Sequence, residues 1–341
     1  MLVIYFFIFS ILLISFLNFF FIRYNFLLDK KVLPHKSFAS NEKIPLSGGF
    51  LIICNLFFFY NKDYLIFFLL IFFLGIFSDL LVIKNPLKKI ILQFIIIFLF
   101  IFLNDLRIFS TKIFFIDLLL KNNFFSLIFI TFCLLILING SNFLDGLNTL
   151  VIGYYMLVVL VILYLGMQYK INYNFSFFVY LFLSLLIIFL FNFLSKIYLG
   201  DAGVFLLSFI IGHELIELSN LNLQPNLQVI SPIFIVLLLW YPAFENLFSI
   251  IRKSFSGINP SQPDNRHLHH LLFFFIKNKI IDNQYTNSFS ANLINLYNLI
   301  IFIIGSNYFS NTKYLSYLLI VNIFIYSVCY YVLLNANKAN K

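Results

Sequence analysis

Long apolar runs make up most of this chain, and short polar segments separate them. A helix of about 20 apolar residues spans the hydrocarbon core of a bilayer. Hydrophobic residues account for 62% of the sequence and charged residues for 10%, which leaves no stretch of ordinary composition that is long enough for a soluble domain. The sequence therefore predicts an all-α polytopic membrane protein that forms a single domain over residues 1–341.

Eleven of these runs are long enough, or nearly so, to cross a membrane as helices. The first has no basic segment before it and no small-residue cleavage site after it, so we expect a retained anchor rather than a signal peptide. The pattern is least regular at 46–60 and at 104–123, where charged residues interrupt it. The predicted spans are residues 2–22, 46–60, 64–83, 88–103, 124–138, 150–166, 175–194, 203–218, 229–251, 291–306 and 314–334.

Lysine and arginine are distributed unevenly between alternate loops, and these residues accumulate on the cytoplasmic side of a membrane. One set of alternate loops and ends holds 16 of the 22 such residues. We therefore predict that the N-terminus lies outside, that the C-terminus lies in the cytoplasm, and that 252–290 is a cytoplasmic loop. The net charge of +9 fits an anionic substrate, but the same bias accounts for it more simply, and no nucleic-acid partner is predicted.

Three polar segments carry one aspartate each: Asp79 at 75–80, Asp145 at 139–150 and Asp201 at 191–203. A carboxylate within hydrocarbon is costly, so carboxylates at the ends of spans indicate a polar site at the membrane face. The orientation map places all three segments on the cytoplasmic side, together with 263–270, which holds three of the five histidines. We infer one composite site at that face.

The residue types of this site suit a divalent cation and a phosphate. Carboxylates with amide oxygens suit Mg²⁺, or Mn²⁺ as an alternative, and such ions share their remaining positions with waters and substrate phosphates. Gly200 and Gly203 flank Asp201 where a helix is predicted to begin, and a helix N-terminus attracts anions. Phosphoryl transfer needs these parts. The candidates are Asp79, Asp145, Asp201, Asn139, Asn142, Asn192 and Lys196.

Seven motifs follow one another along the chain: His35, IPLSGG at 44–49, GIFSDL at 75–80, NGSNFLDGLNTL at 139–150, FNFLSKIYLGDAG at 191–203, YPAFENLFSIIRK at 241–253 and PDNRHLHH at 263–270. Their order resembles that of the polyprenyl-phosphate N-acetylhexosamine-1-phosphate transferases (glycosyltransferase family 4), the membrane family that includes the phospho-N-acetylmuramoyl-pentapeptide transferase. The likeness covers most of the chain. Any one motif is a weak signal, but seven in order on one predicted side are specific.

This resemblance implies a multi-pass enzyme of the bacterial inner membrane whose active site faces the cytoplasm. Such an enzyme uses Mg²⁺ to transfer a sugar 1-phosphate from a UDP-sugar to polyprenyl phosphate, releasing UMP and initiating a cell-surface polysaccharide. The HLHH form is more similar to the branch that takes UDP-N-acetylhexosamines than to the peptidoglycan branch. A homodimer is left open.

The resemblance also implies roles for individual residues. Asp201 and Asp145 would be metal ligands, and Asp79 and Asp145 would lie near the lipid phosphate and the diphosphate. The histidines would bind the diphosphate or the nucleotide. The further candidates for substrate binding are His267, His269, His270, Gly48, Gly49 and Lys43.

Two positions depart from the family pattern. Ser78 stands where the family usually has the first of paired aspartates, and Asn148 stands where it has another aspartate. The first missing carboxylate is sometimes assigned as the base that activates the lipid phosphate. A phosphate monoester with a second pKa of about 6 is already mostly dianionic near pH 7, so that role is dispensable in principle.

Structural alternatives exist for most of these residues. Asp145 and Asp201 fit helix caps, and the glycines fit a turn or close helix packing. Asp79 ends a helix, where the dipole disfavours a carboxylate, so a purely structural role is less natural for it. Lys43 and His35 fit ordinary juxtamembrane residues. The family resemblance gives no task to His213, Glu214 and Glu217.

Two other function classes remain open. A transporter would keep its ionisable groups near the bilayer midplane, whereas the mid-span positions here are almost wholly apolar. A weakly active or non-catalytic homologue is suggested by Ser78 and Asn148. The enzyme is the leading hypothesis, and its sugar is not disclosed by residue types.

Overall fold

The computed structural model describes residues 2–29, 43–60, 64–169, 174–220, 230–257, 259, 264–280 and 285–338. Regular structure in these ranges is helical, apart from one isolated bridge between Leu28 and Pro45. The helices are α1 (Leu2–Tyr24), α2 (Gly48–Phe59), α3 (Leu65–Asp79), α4 (Pro86–Leu103), α5 (Phe114–Leu120), α6 (Asn123–Leu144), α7 (Leu150–Tyr169), α8 (Phe175–Phe193), α9 (Gly200–Asn220), α10 (Pro232–Phe255), α11 (Leu268–Lys279), α12 (Thr286–Asn307) and α13 (Thr312–Lys338).

Nine of the described helices are long and apolar enough to cross a membrane, and α2 and α3 are shorter apolar helices. The predicted all-α polytopic architecture is confirmed. The count of eleven spans and the orientation stay predictions. Within the predicted 252–290 loop the structure places the 12-residue helix α11, and α12 begins at Thr286.

Helix α9 is the centre of the bundle, because nearly all of its residues are buried and it packs against α2, α3 and α6. Helices α1 and α13 are at the opposite extreme, with 17% of the most apolar part of each buried. Their exposed side chains are large and apolar, such as Phe16 on α1 and Phe324 on α13. Apolar side chains facing outward are the expected surface of a helix in contact with lipid.

Small residues bring α2 and α3 unusually close to the first turn of α9. A Cβ added at Gly75 would lie 2.2 Å from the Cα of Ala202, and one at Gly49 would lie 2.8 Å from the Cα of Gly203. These distances are shorter than any side chain allows, so glycine is required for the two helices to approach their neighbour at this depth. The close approach places the end of α3 beside the start of α9.

Helices α6 and α10 meet in the same manner. A Cβ at Gly140 would lie 2.0 Å from the carbonyl oxygen of Pro242. Pro242 lies inside α10, and a proline within a helix leaves the carbonyl four residues earlier without its usual partner. The contact sets the C-terminal part of α6 against the middle of α10.

Candidate functional site

The aspartate that ends α3 binds the N-terminus of α9. Oδ1 of Asp79 accepts a hydrogen bond from the backbone N–H of Asp201 at 2.9 Å, and Oδ2 accepts one from Ala202 at 3.1 Å. These N–H groups belong to the first turn of α9, which has no partners within its own helix. Asp79 thus has a structural contact that the sequence did not indicate, because the N-terminus of a neighbouring helix stabilises the carboxylate that the end of its own helix disfavours. Its predicted role in the site stays a prediction.

Gly200 is needed for this arrangement on two grounds. Its φ is +71°, a backbone conformation that side chains disfavour. A Cβ at this position would also lie 2.8 Å from Oδ2 of Asp79. The GD pair of the sequence motif therefore lets the Asp79 carboxylate reach the backbone of α9.

Asp201 points its side chain toward α3 and α4. Its Oδ2 accepts hydrogen bonds from the hydroxyl of Ser78 and from Nζ of Lys89 at 3.2 Å. The Asp201 side chain is 14% exposed and that of Lys89 is 24% exposed, so this ion pair lies at the rim of the protein rather than within it. Ser78 thus supplies a hydrogen-bond donor to the predicted metal ligand, at a position where an aspartate would bring a second negative charge.

Asp145 and the start of α9 line one open cleft. Asp145 follows the last residue of α6, so it lies at a helix C-terminus and is not an N-terminal cap. The cleft therefore brings the segments 139–150 and 191–203 together, as predicted. Its lining residues are Asp29, Leu46, Asp145, Gly146, Leu147, Asn148, Asn192, Tyr198, Gly200 and Asn287.

The loop between Asp145 and α7 is held by amide side chains from two other helices. Thr149 has a φ of +69°, which is strained for a β-branched residue. Its N–H donates to Oδ1 of Asn192 at 2.5 Å, and its carbonyl accepts from Nδ2 of Asn295 at 3.0 Å. The Asn148 N–H donates to Oδ1 of Asn287 at 2.7 Å. The predicted substrate ligand Asn192 thus accepts a hydrogen bond that fixes the loop containing Asp145.

Asn148 itself donates from Nδ2 to the hydroxyl of Ser195 at 2.8 Å. A carboxylate at this position has no such donor. Asn148, the second departure from the family pattern, therefore makes a hydrogen bond that requires its amide.

The histidines of the HLHH motif lie next to this loop. A Cβ at Gly146 would lie 2.6 Å from Nε2 of His270 and 3.2 Å from Nε2 of His269, so the two rings contact the residue that follows Asp145. Their ring centroids are 4.2 Å apart. The fourth predicted segment is thereby placed beside the second, as expected for one composite site.

His269 is fully buried, and among the described residues neither of its ring nitrogens has a hydrogen-bond partner. Burial lowers the pKa of His269 well below its usual value, and the neighbouring His270 and His267 lower it further. His269 is therefore a neutral imidazole at pH 7, able to donate from one nitrogen and accept at the other.

His267 faces away from the loop. Its Nδ1 lies 2.9 Å from Oε1 of Glu245, and its Nε2 lies 3.5 Å from Oδ1 of Asp264. The ring packs on Phe143 with centroids 5.0 Å apart. Both ring nitrogens of His267 thus face carboxylates of the protein.

The other predicted residues divide between packing and surface positions. Asn139 donates to Gln93 and to the Leu135 carbonyl, both at 2.9 Å, so its amide joins α6 to α4. Lys43 donates to Oδ1 of Asn25 at 2.9 Å, Asn142 is half-buried and Lys196 is exposed. The Gly48 N–H donates to the Tyr198 carbonyl at 3.2 Å, and Gly49 packs against Gly203. His35 lies outside the described residues.

Among the residues that the structure describes, no group of three or more His, Cys, Asp or Glu side chains is arranged to hold a metal ion. A cage built wholly of protein ligands does not fit. Mg²⁺ binds with one or two carboxylates and completes its shell with waters and phosphates. The oxygen donors of Asp145 and Asp201, on segments that meet at one cleft, fit that second kind of site.

Tyr198 lines the same cleft as Asp29 and Asp145. Burial raises the pKa of Tyr198, and nearby Asp29 and Asp145 raise it further, so the phenol is neutral near pH 7. Within the described chain its buried hydroxyl has no hydrogen-bond partner. A neutral hydroxyl in a polar cleft is available to a ligand.

Sequence reasoning missed three charged residues of this region: Asp29, Lys89 and Glu245. Lys89 follows a short loop, and its proximity to Asp201 carries no signal in the spacing of motifs. Glu245 lies within the YPAFENLFSIIRK motif. A carboxylate in an otherwise apolar span was a signal that could have identified it.

In a comparison with known proteins, residues 63–219 match a family model described as glycosyl transferase family 4. Over 81 residues, 24% of the chain, it is 33% identical to a probable undecaprenyl-phosphate N-acetylglucosaminyl 1-phosphate transferase of Bacillus subtilis (strain 168). It is 29% identical over 152 residues, 40% of the chain, to a decaprenyl-phosphate N-acetylglucosaminephosphotransferase of Mycolicibacterium smegmatis.

A third relative is the undecaprenyl-phosphate alpha-N-acetylglucosaminyl 1-phosphate transferase of Escherichia coli (strain K12), with 30% identity over 77 residues, 23% of the chain. The matched segments cover 22%, 37% and 20% of these three relatives in turn. The chain thus spans less than two fifths of the length of each of these relatives. The family match includes Asp79, Asp145 and Asp201, and it ends before α10 begins.

Proposed function

We propose that this multi-pass membrane protein is a sugar-phosphate transferase, and the match of residues 63–219 to glycosyl transferase family 4 supports the proposal. It transfers an N-acetylhexosamine 1-phosphate from a UDP-sugar to polyprenyl phosphate and releases UMP. The reaction takes place at the cytoplasmic face of a bacterial inner membrane. The lipid-linked product initiates a cell-surface polysaccharide.

One observation carries the proposal. Three aspartates that lie on, or directly after, three different helices, and that are separated by 66 and 56 positions in the sequence, come together at one end of the bundle. Asp79 binds the backbone of Asp201, and Asp145 shares a cleft with Gly200. Carboxylates that converge in this way beside a basic side chain suit a reaction between phosphates, because a bound cation and a lysine offset the negative charge.

We propose Asp201 and Asp145 as the residues that hold Mg²⁺. When bound, this ion neutralises the charge of the diphosphate and of the departing UMP. Lys89 orients the Asp201 carboxylate and adds a positive charge at the same rim. Asp79 fixes the backbone of Asp201 at the start of α9. The neutral hydroxyl of Tyr198 is a hydrogen-bond donor for the donor substrate in the cleft.

The acceptor needs alignment rather than a strong base. An oxygen of the lipid phosphate attacks the phosphorus that bears the sugar, a new P–O bond forms, and the bond from that phosphorus to the phosphate oxygen of UMP breaks. Because a phosphate monoester with a second pKa of about 6 is mostly dianionic near pH 7, no proton has to be removed first. The serine at position 78 is compatible with this step.

The test is an exchange assay on the purified protein in detergent with polyprenyl phosphate, UDP-N-acetylglucosamine, radiolabelled UMP and Mg²⁺. Label should enter the UDP-sugar, and it should stop entering when EDTA is added and resume with excess Mg²⁺. Exchange that needs no polyprenyl phosphate, or no exchange with any of several UDP-N-acetylhexosamines, would refute the proposal.

A further inference from the structure

A buried glutamate in α10 binds the start of α11. Glu245 is 1% exposed. Its Oε1 lies 2.9 Å from Nδ1 of His267 and accepts from the backbone N–H of Leu268 at 3.3 Å. Its Oε2 accepts from the hydroxyl of Tyr326 on α13 at 2.7 Å. A carboxylate withdrawn from water is costly unless its oxygens are hydrogen-bonded, and both oxygens of Glu245 are.

His267 contacts protein side chains through both ring nitrogens and through its ring face. Glu245 meets one ring nitrogen, and Asp264 lies 3.5 Å from the other. Asp264 is itself paired with Arg252 at 2.8 Å. The ring face packs on Phe143, and the residue is 4% exposed. His267 is therefore an anchor within the protein.

Helix α11 depends on such anchors because it has 12 residues. A helix of that length is marginal in water without tertiary contacts. Glu245 holds its first turn, and Nδ2 of Asn337 donates to the Leu271 carbonyl at 2.9 Å. Tyr326 and Asn337 both belong to α13, which therefore supports α11 directly through Asn337 and indirectly through the hydrogen bond from Tyr326 to Glu245.

We propose that Glu245 is a positioning residue for the transferase site. Through His267 and the Leu268 N–H it fixes the first turn of α11, which holds His269 and His270 against Gly146 and so beside Asp145. Tyr326 keeps the Glu245 carboxylate in the required orientation. This inference rests on the proposed function for its effect on catalysis, but its effect on α11 does not.

The kinetic test compares Glu245→Gln in two backgrounds. Gln has a similar volume but lacks the charge, and we expect exchange to fall by about tenfold to a hundredfold, in line with other partners that orient a functional histidine. The KM for the UDP-sugar should rise more than that for polyprenyl phosphate. In a His267→Ala background the same substitution should add less than about a twofold loss, because Glu245 acts through His267. Fully additive losses would overturn the proposal.

Tyr326→Phe gives a second variant that retains the buried volume. It should lower exchange by about tenfold, the size expected for one hydrogen bond to a charged group. Tyr330→Phe is the matched control, because Tyr330 lies one turn further along α13 and its buried hydroxyl has no hydrogen-bond partner within the described residues. Equal losses in the two variants would show that the hydroxyl bound to Glu245 has no special part.

Backbone hydrogen exchange separates this inference from the proposed function, since it needs no substrate. In Glu245→Gln the amides of 268–271 should exchange faster, while those in the middle of α9 keep their wild-type rates. Unchanged exchange at 268–271 would overturn the positioning role even in an active enzyme. A wild-type protein without UMP exchange would overturn the proposed function, and the amide rates would still decide whether Glu245 fixes α11.

Discussion

The two ends of α9 each gather ionisable side chains, but in opposite surroundings. At its N-terminus Asp201 contacts Ser78 and Lys89, and the adjacent Gly200 lines an open cleft. Near its C-terminus His213 and Glu214 are buried, with 2% and 0% of their surfaces exposed. About 13 residues of helix separate the two clusters, which is roughly 20 Å at 1.5 Å per residue.

The buried cluster is closed by its own partners. The hydroxyl of Tyr60 contacts both Nδ1 of His213, at 3.0 Å, and Oε1 of Glu214. Oε2 of Glu214 accepts from Asn174 at 3.1 Å. Aromatic rings surround the imidazole, with the Phe100 centroid 5.2 Å from it.

The two clusters differ in role: the one at the start of α9 belongs to the candidate site, whereas the buried one connects helices. In the buried cluster the polar groups satisfy one another and connect the end of α2 to the starts of α3 and α8. At the start of α9 the ion pair of Asp201 with Lys89 is partly exposed, and in the cleft the hydroxyl of Tyr198 has no hydrogen-bond partner in the described chain. The motifs gave no task to His213 and Glu214, and the structure gives them a stabilising one.

The largest effect should come from Asp201→Asn. The substitution removes the negative charge that we propose binds Mg²⁺. Exchange should therefore fall by at least about a hundredfold, as for removal of a main electrostatic contributor. The melting temperature in detergent should stay within about 2 °C of wild type. Asp105→Asn is the control, because Asp105 is 76% exposed and pairs with Arg107. Full retained activity would remove Asp201 from the site.

Glu214→Ala tests the opposite end. Removing one partner of a buried hydrogen-bonded pair should lower the free energy of unfolding by about 3 kcal/mol. The activity per folded molecule should stay near wild type, and thermal unfolding in detergent measures the loss. The control is Glu217→Ala, one turn further along and half-buried. A selective loss of activity at an unchanged melting temperature would contradict the assignment of this cluster to stability.

Lys89→Met should have an intermediate effect on exchange. The substitution keeps the apolar stem but removes the ammonium group that lies 3.2 Å from Asp201. We expect a loss of about tenfold, the scale of one charge-assisted hydrogen bond. Lys88→Met changes the neighbouring exposed lysine and should leave the rate unchanged. Similar losses in both variants would point to the general positive potential rather than to the ion pair.

The smallest effect should come from Ser78→Ala, which removes the hydroxyl that donates to Asp201. A loss of about threefold in exchange is expected from one hydrogen bond. Ser208→Ala is matched in size and burial, and its hydroxyl binds the Val204 carbonyl within α9. If Ser78→Ala had no effect while Lys89→Met did, the serine at this position would be only a space-filling replacement for the family's aspartate.

The sequence predicts much of the cluster at the start of α9 and little of the buried cluster near its end. Charge and length alone bring the segments of Asp79, Asp145 and Asp201 to one face, because loop charges fix orientation and the polar segments then have nowhere else to lie. The partner of Asp79 could not be predicted, since the N-terminus that binds it belongs to a helix more than 100 positions later. A sequence indicates where a helix begins and ends, and so the direction of its dipole. Which helix ends meet depends on how the helices pack.

Glu245 and His213 show the same limit in the apolar spans. Each was an ionisable residue in a hydrophobic run, which signals a polar contact but not its partner. Tyr326 lies 81 positions from Glu245, and Tyr60 lies 153 positions from His213. The pairs depend on the packing of α10 on α13 and of α9 on α2.

The carboxylate of Asp79 at the start of α9 has an electrical consequence for anything that enters the cleft. The positive end of that helix faces a fixed anion, so the field it projects into solution is largely cancelled. An incoming diphosphate therefore finds little attraction from the backbone. Its affinity should follow the free concentration of divalent cation around the membrane and should decline as monovalent salt screens the rim lysine.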